Sequence, residues 1–411
     1  TMNNSALVIA FLLGSFTVTA QETQKLDVKQ ALEIGLKNNQ NIQASELEVK
    51  MQTQMQKTAF ELPKTELLGT FGQINSQAQD KNFNISQSFN PFQISAKRNL
   101  LKEYSNASAT KLGVSKQEVT YSIRQSWNTL LYYEKENDVL EKQNVVMQKF
   151  VKSANLKFQT GETNALEKTI ASAKQQELEQ KIKQNKAQIA IEKSKLKVIL
   201  DLKTDFIAID TSFVPYPAMA KVDSSMVKQN PIVQLANQQV QIAQAIHKVE
   251  KSALSPDFSV GYFLQSITGN QDVNGTSTYY NNSPQFQGFT VGIAVPLFAG
   301  SNIAKAKAAK TNIEREQKNA DYINQQFKSH LEQQSEQLTT YGSLIEYYKN
   351  TAMPNANLII KNATKGYQND DISYVEYVQS IETASQIQLN YYEAIYNYNQ
   401  TIITIQYSIN Q

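Results

Sequence analysis

Apolar residues recur along this chain at two different periods. From Ile381 the apolar positions run Ile381, Ala384, Gln388, Tyr391, Ile395, Tyr398, Ile402 and Ile405, spaced alternately by three and four with one polar interruption at Gln388. That is a heptad stripe, and it predicts a long helix packed side by side with others as in a coiled coil. Segments 94–157 and 165–202 contain no Pro, and only Gly113 interrupts the first, so each predicts one continuous helix. Segments 301–351 and 374–408 read likewise, and 27–60 predicts one or two helices. Helices of such length need partners along their whole extent.

Four stretches switch to period two. Phe258, Val260, Tyr262 and Leu264 alternate with Asp257, Ser259, Gly261 and Phe263, and Phe289, Val291, Ile293 and Val295 alternate with Thr290, Gly292, Ala294 and Pro296. Leu67, Gly69 and Phe71 form a weaker version, and Phe83, Ile85, Gln87 and Phe89 a fourth. Strands of about ten residues, apolar on one side and small or polar on the other, match a β-barrel facing lipid outward and water inward; an ordinary half-buried strand has the same local pattern. Polar segments 73–81 and 269–285 separate the members of each pair and suit exposed loops.

The chain also repeats itself. Leu36-Lys37-Asn38-Asn39-Gln40-Asn41-Ile42 returns as Val227-Lys228-Gln229-Asn230-Pro231-Ile232-Val233, with Asn39 and Asn230 in register. Phe158-Gln159-Thr160-Gly161-Glu162-Thr163-Asn164 returns as Tyr367-Gln368-Asn369-Asp370-Asp371-Ile372-Ser373. Two copies of one helix–strand–strand–helix unit follow, a first repeat over 21–205, a linker over 206–222 and a second repeat over 223–411. Four strands are too few to close a membrane barrel, and open edges are not tolerated in lipid. If these strands span a bilayer, several protomers must share one barrel that continues into a tube of helices.

Composition narrows the chemistry. With no Cys among 411 residues, disulfides, thiolate metal sites and a Cys nucleophile are excluded. A net charge of +3 without a dense basic patch gives no case for nucleic acid. No phosphate loop, Gly-x-Ser-x-Gly or His-Glu-x-x-His motif occurs, and His247 and His330 stand alone, so no enzyme, cofactor or metal centre is expected. Met51 and Met55 share a helix face, a spacing that serves packing far more often than a soft metal ion. An apolar run over 6–14 followed by Val18-Thr19-Ala20 predicts a signal peptide over 1–20.

These residues resemble the outer membrane efflux protein (TolC-like) family. The resemblance is carried by the opening 26–39, by Leu62-Pro63 and Ser255-Pro256-Asp257-Phe258 at the strand starts, by the return 291–300, and by the two turns 158–164 and 367–373. It implies a mainly α fold with a membrane β-barrel: a homotrimer of long coiled-coil helices forming an α-barrel tunnel, with four strands per protomer contributing to a 12-stranded barrel. It implies a channel in the cell outer membrane with a periplasmic extension, in contact with outer-membrane lipid. A periplasmic adaptor (membrane fusion) protein and an inner-membrane transporter are the implied partners. The nearest look is to channels of heavy-metal resistance-nodulation-division (RND) efflux systems, with metal cations as the implied cargo. Glu376, Asp370, Asp371 and Gln379 are the implied gate or lumen residues at the closed periplasmic end, where a ring of carboxylates would attract cations and control opening. Phe158, Gly161, Glu162, Tyr367 and Ser373 are the implied adaptor-docking residues. A periplasmic coiled-coil scaffold and a protein-secretion duct remain open as alternatives.

Overall fold

The structure, a computed structural model, describes residues 24–210, 212–219 and 222–410. The expected signal peptide over 1–20 lies outside them. Segment 27–60 forms two helices, α1 (Val28–Asn38) and α2 (Gln40–Met55), followed by a short 3-10 turn. Asn39 separates them because its side chain accepts from the backbone N–H groups of Asn41 and Ile42, ending one helix and capping the next. The longest element is α3 (Pro91–Gln159), 69 residues or about 100 Å at 1.5 Å per residue. It starts where Asn90 caps it and Pro91 supplies a preset φ. The return helix α4 (Ala165–Leu200) ends at Asp201, which takes a left-handed φ of 50°.

The second half repeats this plan. Helix α5 (Pro231–Ser252) is capped by Asn230, α6 (Gly300–Tyr347) and α7 (Met353–Gln368) descend, and α8 (Tyr374–Ile409) returns, ending at Asn410 with φ 60°. A single π turn over Tyr348–Ala352 joins α6 to α7. Pro354 sits in the first turn of α7, where its ring and missing N–H would break ordinary α spacing; the wider turn absorbs that conflict. Pro91 to Gln159 and Gly300 to Gln368 both span 69 positions, and α4 and α8 both have 36 residues.

The packing is in seams. Along α8, Ile381, Ala384, Ile395, Tyr398, Ile402 and Ile405 are buried, as the heptad stripe predicts, while Gln388 and Tyr391 are half-buried. The two repeat asparagines do one job twice. Asn39 donates to the carbonyl of Ile199 at 2.8 Å, and Asn230 donates to that of Tyr407 at 2.7 Å, each tying a capped helix start to the end of a returning helix. Around mid-length, β1 (Gln24–Leu26) pairs in parallel with β4 (Phe206–Ala208). Beside them Trp127 stacks on Phe206 at 5.8 Å and donates to Asp210 at 2.8 Å.

All four expected strands form. β2 (Glu66–Gly72), β3 (Asp80–Phe89), β5 (Asp257–Gln265) and β8 (Phe286–Ala294) make one antiparallel sheet in the order β2-β3-β5-β8. Register aligns Leu67 with Ile85, Ile85 with Tyr262 and Tyr262 with Phe289, so most apolar residues of the four strands share one face, with Leu68, Phe263 and Phe286 on the other. That face is open: Leu67, Phe71, Phe83, Ile85, Val260, Phe289, Val291 and Ile293 are all exposed. The other face carries Asn82, Asn84, Ser86, Ser259 and Thr290, where Phe263 lies over Gly288 so closely that an added Cβ would sit 2.7 Å from the ring. The polar segment over 269–285 is not a plain loop. It contains a hairpin of β6 (Gly269–Val273) and β7 (Thr276–Tyr280), turned at Asn274-Gly275 with positive φ at both residues. Among the described residues, no helix is long and apolar enough to cross a membrane.

Candidate functional site: the helical hairpin tips

The two hairpins end, at the pole opposite the sheet, in turns built alike. In the first, Gly161 takes φ 77° and Asn164 caps α4 by accepting from the Glu167 N–H at 3.0 Å. In the second, Asp370 takes φ 59° and Ser373 caps α8 by accepting from the Glu376 N–H at 3.2 Å. Asp370 thus stands in the backbone conformation that the first repeat fills with glycine, which an Asp side chain tolerates better than most. The second turn is fixed by the Asp371 N–H donating to the carbonyl of Gly366 at 2.8 Å, while Ile372 packs over Gly366.

Glu376 closes a capping box: its carboxylate accepts from the Ser373 N–H at 2.8 Å. That backbone hydrogen bond, helped by the Ser373 side chain, holds its carboxyl below the usual range. Glu162 accepts from the Thr160 hydroxyl at 2.9 Å, and Phe158, partly exposed, has the Lys168 ammonium 4.9 Å above its ring. Gln379 is exposed one turn into α8 and lies beside a groove of about 280 Å³ between α4 and α8. Leu166, Ile170 and Val375 are exposed around that groove, while Phe150 forms its floor.

Tyr367 belongs to an aromatic cluster that sequence reasoning missed. It stacks on Tyr377 at 5.0 Å and meets the edge of Tyr374 at 4.8 Å; Tyr374 in turn stacks on Phe150 of α3 at 4.4 Å. Burial, with Tyr367 and Tyr377 alongside, pushes the Tyr374 phenol well above its ordinary range. Lower down, Lys174 of α4 holds Glu382 of α8 at 2.7 Å. The second hairpin is thereby pinned against both helices of the first. The signal is present in the spacing of Tyr367, Tyr374 and Tyr377 in a polar stretch, but only the fold supplies Phe150 as their partner. Phe158, Gly161 and Glu162 stay on their own turn, apart from this cluster. Among the described residues, no group of three His, Cys, Asp or Glu is arranged to hold a metal ion.

No protein-family model and no curated protein sequence matches the chain. Solved structures do. A crystal structure of CusC, described in terms of folding and transmembrane channel formation, is 16% identical with a TM-score of 0.75, covering 94% of this chain and 93% of that one. The CmeC outer membrane channel of Campylobacter jejuni is 13% identical with a TM-score of 0.75, over 93% of this chain and 85% of that one. The outer membrane protein VceC of Vibrio cholerae is 11% identical with a TM-score of 0.72, over 93% of this chain and 95% of that one. The chain therefore has the fold of the outer-membrane efflux channels.

Proposed function

We propose that this chain is one protomer of a homotrimeric outer-membrane channel that serves as the exit duct of a tripartite efflux system. The observation that carries this reading is the four-stranded sheet with one apolar face and two unpaired edges, β2 and β8. In water, side chains such as Phe289 and Val291, 85% and 80% exposed, would form an apolar patch with a strong drive to be covered. In lipid they would be solvated by it. Edge-to-edge pairing of β8 with β2 of the next copy would close twelve strands without any open edge.

The tips would then meet the partners. Phe158, Gly161, Glu162, Tyr367 and Ser373 would receive a periplasmic adaptor, which would couple the channel to an inner-membrane pump of the RND type. Asp370, Asp371, Glu376 and Gln379 would stand at the periplasmic mouth. Over 157–174 and 365–382 there are six acids against four Lys, which supports cations, heavy metals among them, as cargo. Glu376 would act there through its charge, since its carboxylate is committed to its own helix cap.

Outer-membrane fractionation together with the native mass of the detergent-extracted protein tests the reading. A trimer in the outer-membrane fraction is the expected result. A soluble monomer or dimer would refute the shared barrel and bring forward a periplasmic scaffold.

A further inference from the structure

Directly below the sheet, the helices carry a charge pattern that channel closure does not require. On α5 the exposed positions Gln234, Asn237, Gln241, Gln244, Lys248 and Lys251 follow a three–four spacing, so they lie on one face. On α3 the exposed positions Ser95, Arg98 and Lys102 do the same. Ser95, Lys248 and Lys251 line one side of a shared groove of about 540 Å³, so both stripes face the same way. The acids of this level lie elsewhere on the two helices: Glu103 and Glu250 are half-buried, and Glu103 accepts from Gln238 of α5 at 2.6 Å. Arg98, Lys102, Lys248 and Lys251 are in no ion pair among the described residues.

Which side of the wall this is follows from curvature. On the channel reading these helices form a curved single layer, in which the neighbours of α3 (α2 and α5) and of α5 (α3 and α6) lean toward the concave side, so the more exposed stripe is the convex, outer one. The level is also defined. Phe60, Phe92 and Phe298 are 70%, 56% and 98% exposed beside the strand ends, as aromatic residues are at a membrane boundary. Arg98 lies seven residues beyond Pro91, or about 10 Å along the helix. The headgroup layer is roughly 5–8 Å deep, so the long Arg and Lys side chains reach it.

Resting on the channel reading, we propose that the outer face of α3 and α5 is a docking surface for the phosphate headgroups of anionic phospholipids. Lys248 and Lys251 flank the groove, Ser95 offers a hydroxyl, and Phe92 offers an apolar edge for an acyl chain. The occupant is a lipid because Phe92, at the rim of the groove, is exposed beside the strand ends, whose apolar side chains Val291 and Ile293 are exposed as well.

The full chain, inserted into nanodiscs of mixed phosphatidylethanolamine and phosphatidylglycerol, is released and weighed by native mass spectrometry. Phosphatidylglycerol is expected to be retained over phosphatidylethanolamine by about tenfold or more, weakening at high salt. The quadruple variant Arg98→Gln, Lys102→Gln, Lys248→Gln, Lys251→Gln should lose that preference. A control with Lys152→Gln and Lys183→Gln, exposed lysines farther down the tunnel, should keep it. Equal retention of both lipids by the unaltered chain, or an unchanged preference in the quadruple variant, would overturn the proposal. A chain that never enters the bilayer would overturn the channel reading as well, whereas an inserted trimer without lipid preference would sink the headgroup site alone.

Discussion

Asn230 is the most consequential single side chain outside the tips. It is fully buried, caps α5, and donates to two carbonyls at the end of α8. Removing it leaves buried groups without partners, whereas its repeat mate Asn39 is half-exposed and donates to one carbonyl. Asn230→Ala is expected to cost about 2–3 kcal/mol and Asn39→Ala nearer 1 kcal/mol, measurable as urea midpoints of the extracted protein. Equal midpoints for the two variants would show that burial does not set the difference. Glu376 makes a pH-dependent contribution. Its carboxyl is depressed by the Ser373 hydrogen bonds, so its stabilisation of the α8 start is present above the ordinary carboxylate range and fades as pH falls through its lowered value. Protection of the first-turn amides of α8 against hydrogen exchange, taken relative to the intrinsic exchange rate at each pH, should therefore fall in acid. A Glu376→Gln variant should keep the capping box and lose this acid response; an unaltered response would assign it to another group.

At the level of elements, the polar face of the sheet is fitted to a small residue beside Phe263. Gly288→Val would drive a side chain into the Phe263 ring, and overpacking of this kind costs about 1–3 kcal/mol. Lowered yield of the heat-modifiable folded band in cold gel electrophoresis is the expected outcome; full yield would mean that Phe263 turns aside freely. The four long strands are legible in the sequence because their period is two and Pro or Gly stands at their flanks. The stripe along α8 is legible because it holds its spacing from Ile381 to Ile405. The β6–β7 hairpin is not, since its polar residues lack an apolar face and only the Asn274-Gly275 turn marks it. The aromatic cluster at the tips is likewise hidden: Phe150 and Tyr374 are more than two hundred residues apart in sequence, and periodicity within one helix says nothing about which helix lies opposite.

At the scale of the whole molecule, the repeat is not uniform in offset. Asn39 and Asn230 are 191 residues apart, whereas Gly161 and Asp370 are 209 apart. Most of the extra residues fall between β5 and β8, where 20 residues stand against 7 between β2 and β3, in the segment that holds the β6–β7 hairpin. Replacing 269–280 by a short Gly-Ser turn is therefore expected to leave the oligomeric state unchanged, because Thr268 and its hydrogen bond to Asp80 are kept. Loss of the oligomer would mean that the hairpin takes part in assembly. The equal helices have the opposite character. With 69 positions down and 36 back in each half, both tips hang level, and a deletion in one hairpin alone would leave its tip short of the other. Lineages of this chain are thus free to remodel the sheet end one loop at a time, but can lengthen or shorten the opposite end only by paired steps, as the legs of a table are cut.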